Sequence, residues 1–447
     1  MALTGVEIFK LLPKTNCKKC GHPTCLAFAM KLAQRQATLD SCPDVSEEAK
    51  KVLGEASAPP VRPITLGSGD KAAKMGEETV LFRHEKKFVN PCVLAVEVKD
   101  TMTDAELAGF ADAVVSSEMD RVGQKLRIDA IFISNSSGDA AKFESAVKTV
   151  ASKAPGVAVI LSTTNPAAAE AALKHVSDRK PLLFGADDSN LEAMAGVAKD
   201  AKASLGISAK DPEALSVLTE KAKTLGVEDI VMDSGARTAK QIIENNTLIR
   251  RAAVKKNFKA LGFPVITFAQ REDPMLEALV ASLGITKYSS IVVLSNIERW
   301  KNLALFTLRQ NIYTDPQVPM QVEQKIYKIG EPTPESPLII TTNFSLTYFI
   351  VSGEVENSKV PVRLAVMDCE GLSVLTAWAA GKFTASKIAQ FINDSGVEKE
   401  ISHKELIIPG YVAILSGSIE EKLPGWKVTV GPREANAMPA YLKSRSN

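Results

Sequence analysis

The N-terminal cysteines carry the clearest chemical signal in the sequence. Cys17, Cys20 and Cys25 lie in the segment Cys-Lys-Lys-Cys-Gly-His-Pro-Thr-Cys, and Cys42 follows later and precedes a proline. A cubane cluster requires four thiolates, one for each iron, and a tight loop followed by a helix can present them around one site. The spacing therefore predicts a four-iron, four-sulfur cluster bound by these four residues.

A structural zinc ion is the alternative, because zinc also binds four thiolates in tetrahedral geometry. The sequence lacks the second Cys-x-x-Cys pair usual in zinc ribbons, and a proline after the last ligand is common in ferredoxins, which favours the cluster. His22 lies within the loop, where we expect a neighbour of the cluster or a bystander. Cys92 and Cys369 lie beside predicted strand ends, where single cysteines are usually small buried hydrophobic residues.

The overall composition argues against several classes of protein. With 54 basic and 52 acidic side chains in 447 residues, the net charge of +2 offers no one-signed field for nucleic acid or anionic lipid. The sequence contains neither a secretory signal nor a run of about 18 apolar residues, so we expect a cytoplasmic protein without a membrane partner. The concentration of cysteines near the N-terminus is also unlike a disulfide framework.

The chain as a whole is predicted to be an α/β protein of several domains. Residues 1–58 form the cysteine-rich unit, and residues 59–92, rich in proline and glycine at their start, are predicted to be a linker. From residue 93, short β-branched runs alternate with helix-length segments, which indicates parallel strands covered on both faces. These runs are residues 93–98, 130–134, 157–162, 181–186, 203–208, 229–233, 263–268 and 290–295.

Eight strand-helix units predict a closed (β/α)8 barrel of the TIM type over residues 93–315. An open doubly wound sheet is the alternative, because strand number alone does not prove closure. Prolines after Asn165, Asp211 and Asp273 suit the first turn of a helix, with the preceding side chain as its cap. The helices are predicted at residues 104–122, 139–152, 167–176, 191–202, 212–225, 239–261, 274–283 and 297–308.

A third unit is predicted after a proline-rich hinge at residues 316–337. Residues 338–447 contain strand-like runs that each lead into a loop and a helical pattern, which is typical of a small open α/β domain of the Rossmann or flavodoxin-like type. Ligands in such sheets bind outside the carboxyl ends of the strands. The predicted strands are residues 338–342, 362–367, 405–408 and 426–430, and the loops are residues 341–345, 368–374, 409–411 and 431–435.

Several segments together resemble one known family. They are Leu3-Thr4-Gly5, the cysteine motif with Thr24-Cys25-Leu26-Ala27-Phe28-Ala29, Thr341-Thr342-Asn343-Phe344-Ser345 and Gly371-Leu372-Ser373-Val374. With these segments and the predicted barrel, essentially the whole chain resembles the large (gamma) subunit of the corrinoid iron-sulfur protein of the reductive acetyl-CoA, or Wood–Ljungdahl, pathway.

The resemblance implies a methyl carrier in anaerobic carbon dioxide fixation. A cobamide in the C-terminal domain, reduced to Co(I), would take a methyl group from methyltetrahydrofolate bound to a separate methyltransferase and deliver it to acetyl-CoA synthase. The [4Fe-4S] cluster would reactivate the cofactor after oxidation to Co(II). A smaller barrel subunit would complete a heterodimer.

The resemblance also implies the corrinoid contacts. They are expected at Thr341, Thr342, Thr347, Gly371, Leu372, Ser373, Val374, Gly431 and Ala435. The Asp-x-His-x-x-Gly motif that supplies a cobalt ligand in many cobalamin proteins is absent, and His403 stands in Ser-His-Lys. Because a histidine nitrogen on cobalt would make reduction harder, we expect a base-off corrinoid without a protein ligand.

Two other classes of function stay open. The first is an enzyme whose barrel binds a pterin at its strand ends and transfers methyl groups within this chain, using Asn135, Asn165, Asp187, Asp188 and Asp233. The second is an electron-transfer subunit whose C-terminal domain binds a flavin or only another protein.

Overall fold

The computed structural model describes residues 5–33, 37, 39–46, 49, 59–121 and 124–446. The chain divides into two compact units, one of Met1–Met119 with Leu126–Tyr313 and one of Asp120–Lys125 with Thr314–Asn447. Leu3 and Thr4, which contribute to the resemblance, lie outside the described residues. Within the described residues, no helix combines the length and apolar character needed to span a membrane.

Within the described residues, the cysteine-rich segment contains the helices α1 (Gly5–Leu11) and α2 (Cys25–Ala33). Helix α2 begins at Cys25 because the Thr24 hydroxyl accepts a hydrogen bond from the N–H of Ala27 at 3.0 Å. Cys42 follows a short 3-10 helix at Leu39–Ser41. The small core contains Ile8, Leu12, Cys25, Phe28, Ala29, Leu32, Cys42, Val45 and Ala49.

The strands of the region before residue 314 combine two small pairs with one large sheet. They are β1 (Ile64–Leu66), β2 (Ala73–Met75), β3 (Val93–Lys99), β4 (Met119–Arg121), β5 (Gln124–Leu126), β6 (Ala130–Ser134), β7 (Ala158–Ser162), β8 (Leu182–Ala186), β9 (Ser204–Ser208), β10 (Ile230–Asp233), β11 (Ile266–Phe268) and β12 (Ile291–Leu294). β1 pairs with β2, and β4 pairs with β5.

The large sheet is parallel and closes on itself. Its order is β10-β9-β8-β7-β6-β3-β12-β11. An isolated parallel bridge between Met232 of β10 and Val265 joins the two ends, and the N–H of Met232 donates to the carbonyl of Pro264 at 2.8 Å. The predicted barrel is therefore confirmed, and the open doubly wound sheet is excluded for this region.

The helices of this unit cover the outside of the barrel strands. They are α3 (Asp104–Val115), α4 (Ala140–Lys153), α5 (Pro166–Leu173), α6 (Leu191–Asp200), α7 (Pro212–Thr224), α8 (Ala239–Lys256), α9 (Pro274–Thr286) and α10 (Arg299–Tyr313). The predicted caps are confirmed, because the side chains of Asn165, Asp211 and Asp273 accept hydrogen bonds from the first turns of α5, α7 and α9.

Several predicted helices are too long, for example that at residues 239–261, where α8 ends at Lys256, and most of all that at residues 104–122. The sequence predicted residues 104–122 as one helix, but α3 ends at Val115. The hydroxyls of Ser116 and Ser117 donate to the carbonyls of Asp112 and Val114, each at 2.7 Å, and so occupy acceptors of the last turn. The two-stranded sheet of β4 and β5 follows at once.

The barrel interior is packed with side chains. Phe132, Phe184 and Phe268 contact one another there, with ring centroids 5.5 to 5.7 Å apart. Aromatic rings at these separations pack favourably. The centre of the barrel is thus a core and not a channel.

The C-terminal region is an open five-stranded sheet with helices. Its strands are β13 (Lys325–Ile329), β14 (Leu338–Thr342), β15 (Val362–Met367), β16 (Glu405–Ile408) and β17 (Lys427–Val430), in the order β13-β15-β14-β16-β17. β13 is an antiparallel edge strand inside the predicted hinge, and the sequence analysis did not predict it. The helices are α11 (Ser345–Ser358), α12 (Val374–Ala379), α13 (Ala385–Ser395), α14 (Ser416–Lys422) and α15 (Met438–Ser446).

Candidate functional site

The cysteine loop has an unusual backbone. Lys14, Asn16, Lys18 and Gly21 all have positive φ angles, between 50° and 80°. The Asn16 side chain accepts a hydrogen bond from the N–H of Cys25 at 2.8 Å, and the N–H of Asn16 donates to Cys25 Sγ at 3.4 Å. N–H groups aimed at cysteine sulfur are among the features that tune an iron-sulfur cluster.

The four predicted ligands share one neighbourhood. Cys25 and Cys42 are buried, Cys20 is half-buried and Cys17 is exposed. Burial raises the pKa of the Cys42 thiol, and the nearby thiols of Cys20, Cys17 and Cys25 raise it further. Among the described residues, no group of three or more cysteine, histidine, aspartate or glutamate side chains is arranged to hold a metal ion.

The surroundings of the loop supply charge. Lys19 Nζ lies 3.1 Å from Asp44 Oδ1, and the Cys17 thiol donates to Asp44 Oδ2 at 3.5 Å. Asp44 therefore joins the first part of the loop to the chain just after Cys42. The His22 ring lies 5.4 Å from the ring of Phe28, so the histidine packs on the small core.

The other two cysteines are buried, as predicted. Cys92 lies in the core outside the barrel strands and Cys369 in the core of the C-terminal sheet. Burial raises the pKa of each thiol to about 12. Both thiols are therefore protonated at neutral pH and are poor nucleophiles.

A cleft of about 210 Å³ opens at the carboxyl ends of β14 and β16, where parallel sheets bind ligands. Apolar side chains from two strands and three helices form most of its wall. The lining residues are Ile339, Ile340, Thr341, Thr347, Ile350, Val351, Val374, Ile407, Ile408, Pro409, Tyr411, Pro432, Arg433, Glu434, Ala435 and Met438. The cleft therefore suits a largely apolar group that enters from the side of the loops.

Two threonine hydroxyls at the end of β14 are left without partners. Thr341 and Thr342 are 2% and 0% exposed, and no described residue hydrogen-bonds to either hydroxyl. A buried hydroxyl without a partner costs stability. Such orphaned groups beside a cleft fit a site that a polar arm of a ligand would complete.

Glycine allows the loops around the cleft to touch. A Cβ on Gly410 would lie 2.6 Å from the carbonyl oxygen of Gly431 and 2.8 Å from the backbone nitrogen of Arg433. A Cβ on Gly431 would lie 3.0 Å from Ile407 Cγ2. The loop after β16 and the loop after β17 therefore approach at backbone distance.

The structure brings several predicted corrinoid contacts together. Thr341, Thr347, Val374 and Ala435 line the cleft, whereas Thr342 and Gly431 each adjoin a lining residue in the chain. Gly371, Leu372 and Ser373 form the turn that leads into α12 and are not in the cleft wall. The sequence analysis missed the helical wall, which is formed by Ile350, Val351 and Met438.

The strand-end residues of the barrel mostly have structural partners. Asn165 caps α5, and Asp187 accepts hydrogen bonds from the N–H and hydroxyl of Ser189. Asp233 forms a bidentate ion pair with Arg237 at 2.9 and 2.7 Å. The Asn135 side chain donates to the Thr163 hydroxyl at 3.0 Å, although its Oδ1 has no partner among the described residues.

His403 lies at the opposite end of the C-terminal sheet from the cleft. It precedes β16, and its Nε2 contacts the carbonyl of Ser336 at 3.0 Å while the N–H of Glu405 donates to its Nδ1 at 3.2 Å. Because a carbonyl only accepts, the proton is on Nε2. Both ring nitrogens are thus occupied by structural hydrogen bonds.

These features define the class of the molecule: a multidomain α/β protein that combines a cysteine loop, a closed barrel and an open sheet with a cleft. Comparison with known proteins is consistent with that class. A family model described as "CO dehydrogenase/acetyl-CoA synthase delta subunit" matches residues 63–442, and one described as "Putative Fe-S cluster" matches residues 12–43.

Individual relatives match along the full length. The chain is 45% identical over 444 residues to the corrinoid/iron-sulfur protein large subunit of Moorella thermoacetica, with 99% of both chains covered. It is 36% identical over 455 residues to the acetyl-CoA decarbonylase/synthase complex subunit gamma of Methanothermobacter thermautotrophicus, again with 99% of both covered. The gamma subunit of Methanopyrus kandleri is 35% identical over 454 residues, with 99% of this chain and 97% of that one covered. The chain therefore belongs to the family of corrinoid/iron-sulfur protein large subunits and acetyl-CoA decarbonylase/synthase gamma subunits, as the sequence resemblance predicted.

Proposed function

We propose that this chain carries both an iron-sulfur cluster and a corrinoid and acts as a methyl carrier in acetyl-CoA synthesis. The observation that carries the proposal is the full-length match to a protein named for both cofactors, at 45% identity. Two separate features of the chain support it: the cysteine loop would hold the cluster, and the cleft at the C-terminal sheet would hold the corrinoid.

The cluster would be held by Cys17, Cys20, Cys25 and Cys42. Four sulfurs are the donor set of a [4Fe-4S] cluster, and the N–H of Asn16 already points at one of them. Bound iron would stabilise the deprotonated form of all four thiols. Binding would draw the sulfurs together and tie the two ends of the loop, with residues 1–58 as the cluster domain.

The corrinoid would bind at the carboxyl edge of the C-terminal sheet, in a domain of residues 338–447. We assign its contacts to Thr341, Thr342, Thr347, Gly371, Leu372, Ser373, Val374, Gly431 and Ala435. The aliphatic cleft suits the apolar part of the nucleotide tail, and the orphaned hydroxyls of Thr341 and Thr342 would donate to or accept from a polar arm. When bound, a cobalt corrinoid supplies the low-valent metal nucleophile of methyl transfer.

We further propose that no histidine of this chain binds the cobalt, so that the corrinoid is base-off. The chain has four histidines, at positions 22, 84, 175 and 403. Of these, His403 alone follows residue 313, and it lies at the amino end of β16 with both ring nitrogens in hydrogen bonds. Because cobalt would bind one ring nitrogen, using His403 as a ligand would break at least one of these hydrogen bonds.

The partners would be those of a carrier that works between enzymes. A separate methyltransferase would load the methyl group from methyltetrahydrofolate, and acetyl-CoA synthase would receive it. A small corrinoid iron-sulfur subunit would complete a heterodimer, and the cluster would supply single electrons for reactivation after oxidation. We place the protein in the cytoplasm of an anaerobe. The barrel would span residues 93–315, with connecting segments at residues 59–92 and 316–337, the second of which also contributes β13 to the C-terminal sheet.

Analysis of the full chain purified without air tests this function. We expect about four iron and four sulfide per chain and a corrin absorption spectrum. Cys25→Ala should lose iron and sulfide, whereas the matched removal of a buried thiol, Cys92→Ala, should keep them. Demethylation of methyltetrahydrofolate should require an added methyltransferase.

Each contrary result points to a different function. Iron and sulfide without a corrin spectrum would indicate an electron-transfer subunit. Turnover of methyltetrahydrofolate by the chain alone would indicate the barrel-based enzyme. Zinc in place of iron would contradict the cluster itself.

A further inference from the structure

The side chain of Asn343 joins three segments of the C-terminal sheet. Asn343 follows β14 and is 2% exposed. Its Nδ2 donates to Asp368 Oδ1 at 2.9 Å and to Gln321 Oε1 at 3.2 Å. Its Oδ1 accepts from the N–H groups of Cys369 at 2.9 Å and Gly371 at 3.1 Å. All four hydrogen-bonding positions of the amide are therefore occupied.

One of the three segments directly precedes β13. We call residues 319–324 the strap. The N–H of Val322 donates to the carbonyl of Asn343, and the N–H of Ser345 donates to the carbonyl of Met320, each at 2.9 Å. The Gln324 side chain accepts from the N–H of Asp368 at 2.7 Å. The strap is thus bonded both to the loop after β14 and to the loop after β15.

The turn after β15 is shaped by the same contacts. Gly371 has φ +71°, and a Cβ there would lie 2.8 Å from Gln321 Cγ and 3.0 Å from Pro319 Cβ. Glu370 also has a positive φ, of 57°. The amide of Asn343 holds the two N–H groups that flank Glu370, so it fixes this left-handed turn against the strap.

We propose that Asn343 is the positioning residue of the corrinoid site, because its amide sets the turn at Gly371 relative to the end of β14 and locks both to the strap. The inference rests on the proposed function, since that function assigns these two loops to the corrinoid. Asn343 itself need not touch the ligand. It acts by fixing the residues that do, in the way that supporting hydrogen bonds fix a binding site.

An exchange of the two polar partners tests the role. Asn343→Asp keeps an oxygen that accepts from the N–H groups of Cys369 and Gly371. It loses the side-chain N–H donor, and it places a new carboxylate beside that of Asp368. Adding Asp368→Asn restores a hydrogen bond between the two positions, because the amide at position 368 can now donate to the carboxylate at position 343. Asn393→Asp, an exposed residue of α13, is the control for the same change of charge.

The measurements are titration of the corrinoid-free full chain with hydroxocobalamin and amide exchange of the turn at residues 368–374. Asn343→Asp should weaken binding about tenfold or more, as expected for losing a hydrogen bond to a charged group, and should speed exchange of the Cys369 and Gly371 amides. In the double variant, the affinity for hydroxocobalamin and the exchange rates of the two amides should each return to within about threefold of the natural chain. Asn393→Asp should change neither.

The outcomes separate this inference from the function on which it rests. If the natural chain does not bind hydroxocobalamin, the proposed function fails and the inference fails with it. If the natural chain binds but Asn343→Asp binds within about threefold as well, the positioning role alone is refuted. Loss of binding in Asn343→Asp without recovery in the double variant also refutes it, because the specific amide-carboxylate pair is then not the cause.

Discussion

At the scale of single residues, the two threonines at the end of β14 are the most informative. Folded proteins satisfy almost all buried polar groups, and each unsatisfied one costs about 1–3 kcal/mol. Thr341 and Thr342 are neighbours, are both buried and both have orphaned hydroxyls among the described residues. Thr341 lines the cleft, so its unpaired hydroxyl is a polar group that a ligand there would complete, whereas Thr342, the next residue of the strand, adjoins the cleft only through the chain.

Replacing these hydroxyls should separate stability from binding. Thr341→Val or Thr342→Val should leave the corrinoid-free chain as stable as before or more stable by up to about 1 kcal/mol, since only an unpaired hydroxyl is lost. Each should weaken corrinoid binding about tenfold. Urea unfolding and titration with hydroxocobalamin measure the two effects.

A threonine with partners provides the control. Thr219 is fully buried, and its hydroxyl donates to the carbonyl of Ala260 at 2.6 Å. Thr219→Val should therefore destabilise the chain by about 1–2 kcal/mol without changing corrinoid affinity. An equal loss of stability in Thr341→Val and Thr219→Val would show that the Thr341 hydroxyl has a partner after all.

At the scale of elements, the turn between β15 and α12 depends on its glycine for two reasons. Gly371 adopts a left-handed conformation, and its missing Cβ leaves room for the strap. Gly396 after α13 has nearly the same φ, +67°, but an added Cβ there meets nothing within 4 Å. The two glycines share the backbone cost of substitution and differ only in packing.

Alanine at each glycine should resolve these two contributions. Gly396→Ala should cost about 1 kcal/mol from backbone strain alone. Gly371→Ala should cost about 1–3 kcal/mol more, because the Cβ must displace Pro319 or Gln321, and it should also weaken corrinoid binding. Equal losses in urea unfolding would mean that the strap moves aside without cost.

The elements of the C-terminal sheet also show how far the sequence can predict a structure. Buried parallel strands are continuous apolar runs, so β14, β15 and β16 were predicted at their observed bounds. β13 was missed because Lys-Ile-Tyr-Lys-Ile alternates polar and apolar residues at a sheet edge within a proline-rich stretch. α3 was predicted too long because serine hydroxyls end a helix without a glycine or proline to mark the position.

The candidate site was predicted in part for similar reasons. The loops follow from the way open sheets bind ligands and the contact residues from the family resemblance, and Thr341 and Val374 do line the cleft. Ile350 and Met438 could not be distinguished from ordinary apolar positions of a helix. The sequence could not show that the hydroxyls of Thr341 and Thr342 lack partners or that the amide of Asn343 joins three segments. Both features depend on distances between residues that are far apart in the chain.

At the scale of the whole molecule, the cluster and the corrinoid are assigned to different compact units. The cysteine loop belongs to the unit that contains the barrel, and the cleft belongs to the unit of Asp120–Lys125 with Thr314–Asn447. A ligand stabilises the state that binds it, by an amount set by its concentration relative to Kd. The effects of the two cofactors on stability should therefore fall on different parts of the chain.

Corrinoid should protect the second unit selectively. At a concentration about 100 times its Kd it should add about 2.7 kcal/mol to the stability of that unit. Hydrogen exchange of the full chain with and without hydroxocobalamin should show slower exchange in peptides of residues 338–447 and little change in peptides of β6 to β9. Protection centred on the barrel strands would instead place the ligand at the barrel mouth and contradict the assignment.

The join between β10 and β11 has a consequence for how the barrel can deform. Ladders of three or more residue pairs connect the other neighbouring strands of the barrel, although that between β8 and β9 has a register shift between Phe184 and Ala186. In the described chain, one isolated bridge, Met232 to Val265, joins β10 and β11. The barrel should open locally at this single bridge before it opens elsewhere, and the hydrogen bonds between the other strands need not break when it does. The barrel should therefore open preferentially between β10 and β11, which α8 connects along the chain.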